Sequence, residues 1–478
     1  MKRLSVFTLL FTAVLVASAI STPKKRESKK PNILFIEVDD LNYEYLSITG
    51  SKVNKTPNVD ALAESGVFFK NAVSQGMMCG PSRNSLITGL YPHNLGFYQN
   101  GQMKELPEGT WTLPQGLQKS GYYTAWVGKC HIRSGGKDKT KSMQSKMGFN
   151  FVRQTAGRAV LCSQSKKNKL KPDDWYASYL DSIGKLDVFK KCEDPSPLEE
   201  DEYLDGFFTH TALDFLEKYN NEEPFFLWVN YSVPHGPFDV AEEYHSFNTE
   251  DMPGATSVEN YTEPANLVKK TKKVTDIKTV KEHQAGFCAN ISFMDKQVGR
   301  LVSKLKELGL YDNTIIVFFS DHGIMMGDHH RFHKGTLYRQ ITNPALIVAW
   351  PQKMKKNIVV KTPVELNDLV KTSLDLADAP NSELQKCSHS YSLTSTLFKG
   401  KSPKRETAFG EIEGYVMATD GKYRLIKGDD TTLLFDDVKD PKNLVDIAKE
   451  YPGVVTRLSK EVDEWFKETG KPLPPKTY

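Results

Sequence analysis

The sequence predicts an α/β fold: a large central sheet, mixed but mostly parallel and flanked by helices, followed by a small C-terminal α+β subdomain. Three observations lead there. Apolar runs of strand length at residues 33–38, 122–127, 224–231 and 314–319 recur between helical segments, as strands buried on both faces do. Each run ends in polar residues able to do chemistry, and open α/β sheets bind ligands beyond the carboxyl ends of their strands. Past residue 404 the pattern shifts to short strands and turns. At 478 residues the chain exceeds the size at which one core stops growing. A large domain over residues 31–387 and a subdomain over 404–478 are therefore expected.

The N-terminus has its own logic. Lys2 and Arg3 precede a mostly apolar run at residues 4–16, and Ala17-Ser18-Ala19 forms a small-residue cleavage site. Residues 1–19 read as a secretory signal peptide and 20–30 as a basic linker. The apolar run is too short to span a bilayer, and no later stretch approaches about 18 apolar residues, so no membrane span is expected. Export by this signal places the mature protein in the periplasm or outside the cell. No cysteine follows the cleavage site, which leaves a lipoprotein anchor without support. The net charge of +4 falls to about +2 once Lys2 and Arg3 leave, so nothing indicates nucleic acid as a partner. Basic runs at 24–30, 166–171 and 269–281 have two readings, solvated linkers and loops or guides for a polyanionic substrate. Asn-x-Ser/Thr triplets begin at Asn54, Asn230, Asn260 and Asn290 and matter only in a eukaryotic secretory pathway.

Taken in order, the run at 33–38 is broken only by Glu37 and ends in Asp39-Asp40, hard oxygens suited to a divalent cation. Thr56 reads as the N-cap of a helix opened by Pro57 and stopped by Gly66. Pro81 suits a first helical position, and residues 83–88 complete a short helix that Gly89 ends. Cys79 then faces the positive end of a helix dipole and free backbone N–H groups. A helix at 113–120 leads to the strand at 122–127, which delivers Lys129 and His131: a point charge for an oxyanion and a hydrogen-bond partner.

Residues 133–200 read as an aperiodic insertion over the active face, where specificity is commonly built. Cys162 and Cys192 within it either form a disulfide or remain two thiols. A helix at 202–219 precedes the strand at 224–231, and His235 follows between two prolines, in an extended, rigid segment suited to a positioned acid or base. After an irregular stretch at 239–276 comes a long helix at 280–308. The strand at 314–319 ends in Asp321-His322, repeating the Asp39-Asp40 pattern. The cluster His329-His330-Arg331-Phe332-His333 reads either as a specificity element or as a surface loop. A strand at 343–350, a helix at 363–377, short strands at 407–413, 415–418 and 423–427 and a helix at 455–469 complete the chain. Asp420-Gly421 reads as the turn of the last hairpin.

The segment from Cys79 closely resembles the signature of the type I, formylglycine-dependent sulfatases, Cys-x-Pro-Ser-Arg followed by an apolar pair and Thr-Gly. Cys79, Pro81, Ser82, Arg83, Leu86, Ile87, Thr88 and Gly89 all fit. The resemblance to sulfatases of the alkaline phosphatase superfamily covers nearly the whole mature chain, from Pro31-Asn32 to the Leu434-Phe435-Asp436-Asp437 pattern and beyond. It implies an alkaline phosphatase-like sheet and a Cys79 oxidised to formylglycine by a formylglycine-generating or radical maturation enzyme. It further implies one calcium ion bound by Asp39, Asp40, Asp321, His322 and the modified Cys79. Arg83, Lys129 and Lys334 would hold the sulfate, His131 would support the nucleophile and His235 would protonate the leaving group. His322 stands where the family often has Asn; as a softer ligand it leaves room for magnesium or another ion beside calcium.

That chemistry requires these residue types. A sulfate monoester is an anion that resists attack, so its oxygens must be neutralised by the metal and the cationic side chains. An aldehyde hydrate offers one hydroxyl to attack sulfur and a second whose deprotonation expels sulfate. The expected function is a secreted sulfatase acting on a sulfated carbohydrate. The alternatives are a phosphonate monoester or phosphodiester hydrolase of the same superfamily, and a non-catalytic binder of sulfated glycans.

Overall fold

Apolar runs in this chain become the strands of one eight-stranded sheet: β1 (Asn32–Asp39), β2 (Val67–Phe69), β3 (Tyr123–Lys129), β4 (Phe151–Thr155), β5 (Phe225–Pro234), β6 (Thr314–Ser320), β7 (Leu346–Ala349) and β8 (Ile358–Val360). The computed structural model describes residues 30–102, 105–132, 138–167, 169–170, 174–191, 196–428 and 431–470. The expected signal peptide, the basic linker up to residue 29 and Cys192 lie outside the described residues.

The strand order is β8-β2-β7-β6-β1-β5-β3-β4. β1 lies between β5 and β6 and is parallel to both, β3 is parallel to β5 and β4, and β7 runs antiparallel to β6 and β2. In register, Glu37 neighbours Asn230 and Phe319, Val38 neighbours Ser320, and Asp39 neighbours Pro234. The carboxyl ends of β1, β5 and β6 therefore lie level, and the residues that follow them meet.

Alternation along the strands builds two cores. Leu34, Ile36, Leu227, Val229, Ile316 and Phe318 face one way, against α3 (Leu204–Lys218) and α4 (Ile277–Glu307). Ile33, Phe35, Trp126, Trp228 and Phe319 face the other. That second face is covered by α2 (Cys79–Thr88) and α5 (Asp368–Leu376), preceded in the chain by α1 (Pro57–Glu64). Glu37 and Asp39 share the parity of Ile33 and Phe35, so both carboxylates are directed at the α2 side of the sheet.

Several expectations change. β4 lies inside the stretch read as aperiodic, together with helices Lys139–Met147, Arg158–Lys166, Trp175–Ser182 and Leu186–Lys191. Those helices dock through isolated aromatics, Trp175 and Tyr176 against Phe207 at ring distances of 4.5 and 5.6 Å, and present no long periodic stripe. The helix expected at 363–377 begins only at Asp368, because Val364–Glu365 pairs as a strand with Ala72–Val73. The short strands β2 and β8 lacked a signal of their own. Thr56 stands at the N-cap position of α1 as expected, but its side chain makes no capping bond; the Asp295 carboxylate on α4 accepts from the N–H groups of Asn58 (3.1 Å) and Val59 (2.9 Å) instead. Asn54, Asn230 and Asn290 are buried, which leaves Asn260 as the exposed triplet asparagine.

The C-terminal unit is an antiparallel meander of β9 (Ala408–Ile412), β10 (Tyr415–Thr419), β11 (Tyr423–Gly428) and β12 (Thr432–Asp436), covered by α6 (Pro452–Thr469). The expected turn joins β10 to β11, with Asp420 accepting from the N–H groups of Lys422 and Tyr423 and Gly421 at φ 87°. One face packs Met417, Ile426 and Phe435 on Met77, Leu337 and Ile341 of the large domain. The other receives Leu458, Val462 and Trp465 of α6. Among the described residues no helix is long and apolar enough to cross a membrane.

Trp465 stacks on Phe409 at 4.9 Å and meets Tyr91 edge-on at 4.8 Å, tying α6 to both the small sheet and the large domain. Trp465→Ala is expected to cost about 3–5 kcal/mol, read as a lowered melting temperature by circular dichroism; an unchanged melt would deny the helix this role.

Candidate active site

Every residue of α2 is buried, so polar groups on it must find partners inside the protein. The helix begins at Cys79, two residues before Pro81, whose missing N–H falls in the first turn where helical partners are lacking anyway. Gly80 N–H donates to Asn100 Oδ1 at 2.9 Å. The Ser74 and Ser82 hydroxyls both donate to the Asp321 carbonyl at 2.7 Å, fastening the helix start to the end of β6. Arg83 completes the attachment. Its Nε donates to Asp321 Oδ2 (3.1 Å) and its Nη1 to Asn230 Oδ1 (3.1 Å), with Glu37 Oε2 3.3 Å from the same Nη1. Trp228 Nε1 donates to the same Glu37 oxygen at 2.8 Å.

Neither Glu37 nor Asn230 was singled out as functional from the sequence. The available signal was a lone carboxylate inside an apolar strand, and Asn230 was read only as part of a triplet. Arg83, expected to hold sulfate, is fully buried, with Nε and Nη1 engaged with the sheet and Nη2 without a hydrogen-bond partner among the described residues, 3.9 Å from Asp39 Oδ2. Burial raises Glu37 to about 7 against the pull of Arg83, while for Asp321 burial is overcome by its neighbours, His322 and the cations Arg83 and Lys334, which keep the carboxyl below the ordinary range.

Above this network, Asp39, Asp40, Cys79 and His322 each offer a ligand atom, all within 4.8 Å of one another and all buried. Cys79 Sγ lies 3.0 Å from Asp39 Oδ1 and 4.0 Å from Asp40 Oδ1. Asp40 has φ 68°, a left-handed conformation uncommon outside glycine, which turns its carboxylate out of the line of β1. His322 Nδ1 donates to the Gly323 carbonyl at 2.9 Å, so Nε2 carries the lone pair; that atom is buried and has no hydrogen-bond partner. An imidazole fixed by a backbone carbonyl with its other nitrogen unspent is the usual arrangement of a metal ligand. The donor set therefore fits a divalent cation. Asp321 adjoins this group, but Oδ2 pairs with Arg83 and Oδ1 accepts from the N–H groups of Asp40 (3.2 Å) and His322 (2.9 Å).

Two lysines reach in from opposite sides. Lys129, at the end of β3, pairs with Asp39 Oδ2. Its approach depends on Gly128, at φ 115°, where a Cβ would meet the Asn230 carbonyl oxygen at 2.1 Å. Burial and the neighbouring Lys334 lower Lys129 to about 7, while its contact with Asp39 favours the charged form. Lys334 Nζ lies 2.5 Å from Asp40 Oδ1 and 2.7 Å from Cys79 Sγ. Burial opposes its charge, yet Asp40, Cys79 and Asp321 together hold it above the ordinary lysine value. Burial pushes the Cys79 thiol far up, and Lys334 only partly offsets this, so the unmodified side chain is a poor nucleophile.

The segment around His235 is a turn instead of an extended stretch: His235 N–H bonds the Ser232 carbonyl at 3.1 Å. The buried Asp205 of α3 anchors it by accepting from the N–H groups of Ser232 and Val233 (3.2 Å to the latter). The ring donates Nδ1–H to the Gly236 carbonyl and holds Nε2 3.6 Å from Asp40 Oδ2. Burial, with Lys334 and Lys129, keeps it neutral against Asp40. His131 is likewise lowered by burial and by Lys129, Arg83 and Lys334; Asn84 holds its carbonyl at 3.2 Å.

Asp40, His235 and Lys334 open into a cavity of about 1030 Å³ whose walls include Lys166, Lys167, His245, Lys272, His283 and His333. The cluster at 329–333 divides. His333 lines the cavity, whereas His329 and Arg331 brace Glu263 at 3.1 and 2.6 Å and His330 bonds Ser257 at 2.9 Å. The proposed specificity residues His330 and Arg331 are thus struts of a neighbouring segment.

A family model described as Sulfatase matches residues 31–379. An arylsulfatase of Clostridium perfringens is 28% identical over 470 residues, spanning 90% of this chain and 93% of its own. An N-acetylglucosamine-6-O-sulfatase of Bacteroides thetaiotaomicron is 26% identical over 435 residues, 77% of this chain and 72% of its own. Among solved structures, a phosphonate monoester hydrolase of Agrobacterium radiobacter superimposes with a TM-score of 0.75 at 22% identity, over 92% of this chain and 96% of its own. That last likeness is one of fold.

Removing the Arg83 guanidinium strands two buried carboxylates, Glu37 and Asp321. Arg83→Met is expected to lose about 3–5 kcal/mol of stability, measured by thermal or urea denaturation, and Glu37→Gln in the same chain to return part of it. Additive losses would show that the two side chains are not coupled.

Proposed function

The chain belongs to the sulfatase family and is a sulfuric ester hydrolase; we propose that its substrate is a sulfated carbohydrate, cleaved by a formylglycine formed from Cys79 beside one calcium ion. The observation that carries the reading is the convergence at Cys79: two adjacent carboxylates, an imidazole with a free buried nitrogen and two lysines meet at the first turn of a buried helix. The carbohydrate part is supported by the sulfated-sugar relative and by a cavity wide enough for sugar rings and lined with lysine and histidine.

Asp39, Asp40, His322 and residue 79 would hold the cation, with Asp321 beside them. Bound there, it would neutralise charge on the sulfate oxygens, and formylglycine would replace a soft sulfur with hard oxygen. The chain's own groups have distinct tasks in this reading. Lys334 would flank the sulfate position as a fixed cation, with Lys129 beside it in its charged form when paired with Asp39, which stabilises an anion in a site shielded from water. Arg83 positions the helix that carries residue 79. His235, held through Nδ1 by the Gly236 carbonyl, presents the lone pair of Nε2 toward the cavity; a bound anionic ester would favour its protonation, and that nitrogen would then pass the proton to the departing alcohol oxygen. His131 would orient the nucleophile. Export through residues 1–19 to the periplasm or cell exterior, and maturation of Cys79 by a formylglycine-generating or radical enzyme, belong to the same proposal. The Cys79-Gly80-Pro81-Ser82-Arg83 sequence supports the maturation step.

The decisive assay measures sulfate release from defined sulfated saccharides by protein whose residue 79 is verified as the aldehyde by mass spectrometry. Cys79→Ala is expected to lower turnover by about 10³-fold or more. Equal release by both proteins would sink the reading, and faster turnover of an aryl phosphonate ester than of an aryl sulfate would favour a phosphonate hydrolase.

Metal binding has its own readout. Calcium at about 100 times its dissociation constant is expected to add about 2.7 kcal/mol of stability, seen as a rise in melting temperature that a chelator reverses. His322→Ala should abolish that rise, and a rise that survives the substitution would remove His322 from the ligand set.

A further inference from the structure

We propose that the strap formed by residues 264–274 carries a second anion-binding subsite, in a cavity separate from the main one. The substrate would then be an anionic oligosaccharide held in both cavities. The inference rests on the sulfated-carbohydrate reading and gives it direction.

The strap is built in place. Leu267 and Val268 are buried against the cluster that contains Val73, Met77 and Leu337. Lys272–Lys273 pairs antiparallel with Arg331–His333, Val274 N–H bonds the His330 carbonyl at 2.7 Å, and Arg331 Nη1 donates to Thr271 Oγ1 at 3.1 Å. The struts in the histidine cluster thus have a purpose: they hold this segment down.

Its position is fixed by Gly335, at φ 84°, where a Cβ would come within 2.7 Å of Lys270 Cβ and 3.3 Å of Met78 Sδ. Met78 precedes Cys79, and Gly335 follows Lys334, whose Nζ lies 2.7 Å from Cys79 Sγ. The strap therefore crosses the flank of the reacting residue with no room for another side chain between them.

Beside that crossing lies a second cavity of about 410 Å³, lined by Tyr98, Asn266, Lys269, Lys270 and Tyr415 among others. Lys272, two residues further on, lines the main cavity. One run of lysines thus reaches both cavities, Lys272 the main one beside Lys334 and Lys269 and Lys270 the second beside Met78 and Gly335. Lys269, Lys270 and Lys272 are exposed, and among the described residues none of them has a carboxylate partner within ion-pair distance. Glu413, the acidic residue lining the second cavity among the described residues, accepts from Gln99 and Gln102 at 3.0 and 3.1 Å but forms no ion pair with either lysine, so two ammonium groups face one carboxylate. Neighbouring like charges without counter-ions repel one another, and an anionic ligand relieves that repulsion. Two tyrosines beside two free ammonium groups match a sugar ring bearing sulfate or carboxylate, and the volume admits about one such ring.

The test uses the full chain with Cys79→Ala, so that binding is read without turnover, and per-O-sulfated maltotetraose as the probe in calorimetry. Adding Lys269→Ala and Lys270→Ala is expected to weaken binding about tenfold at about 0.1 M salt and to flatten its salt dependence. Lys139→Ala with Lys141→Ala, exposed lysines outside both cavities, serves as control and should leave binding within about twofold. In the matured enzyme, the kcat/KM ratio for the sulfated tetrasaccharide over 4-nitrophenyl sulfate should fall about tenfold in the Lys269/Lys270 variant, mainly through KM. Unchanged binding, an equal loss in the control, or an unchanged ratio would each overturn the subsite. Failure of the matured protein to release sulfate would count against the hydrolase reading instead, and the binding arm would still decide the subsite.

Discussion

One buried guanidinium sets the geometry of this protein. Arg83 sits inside the molecule with Glu37 of β1, Asn230 of β5 and Asp321 beyond β6 around it. A charge taken that far from water is tolerated only when paired and hydrogen-bonded. The chain meets the condition by drawing α2 against three strand ends that lie level because β1 is parallel to both of its neighbours. Cys79 is one turn earlier on that helix. Its place beside Asp39 and Asp40 follows from where Arg83 must be.

The same requirement explains the crowding of charge above it. Asp39 and Asp40 stand side by side with Lys129 and Lys334 on them, and against burial Lys334 makes Asp40 easier to ionise. Burial and the charge of Lys334 together lower Lys129, whereas Lys334 itself is held up by Asp40, Cys79 and Asp321. Lys334 thus reaches the cavity beside Asp40, while Lys129 and Asp39 pair behind them. Strain accompanies it. Asp40 and His333 both adopt left-handed backbone conformations at the rim of the site, and the sheet on one side and the strap on the other hold them there.

The C-terminal subdomain belongs to this site more than its position in the chain suggests. Glu411 N–H bonds the Gln75 carbonyl at 3.1 Å, and the Glu411 carboxylate accepts from His93 N–H at 2.9 Å and meets its Nδ1 at 2.8 Å, on either side of α2 in sequence. Met77 packs into the interface between the subdomain and the large domain. The β9–β10 turn then supplies Glu413, Gly414 and Tyr415 to the second cavity. Docking of the small sheet thus shapes one wall beside Cys79.

Much of this was legible in the residues themselves. Continuous apolar runs marked β1, β3, β5 and β6, since a strand buried on both faces has no other way to be written. The polar groups at their ends marked the site, because Asp39, Asp40, Lys129, His235, Asp321 and His322 would be costly anywhere else near such runs. The signature around Cys79 joined them. What the tertiary structure alone decided was which charge answers which. Glu37 and Asn230 looked like an interruption and a triplet residue until parallel register set them side by side under Arg83. Thr56 looked like a cap until Asp295 arrived from α4. His330 and Arg331 allowed two readings, specificity element or surface loop, until the fold set the His330 ring on Ser257 and the Arg331 guanidinium on Glu263 and Thr271. Apolar burial is written locally, in period and run length. Pairing of buried polar groups depends on partners hundreds of residues away, and only the folded chain brings those together.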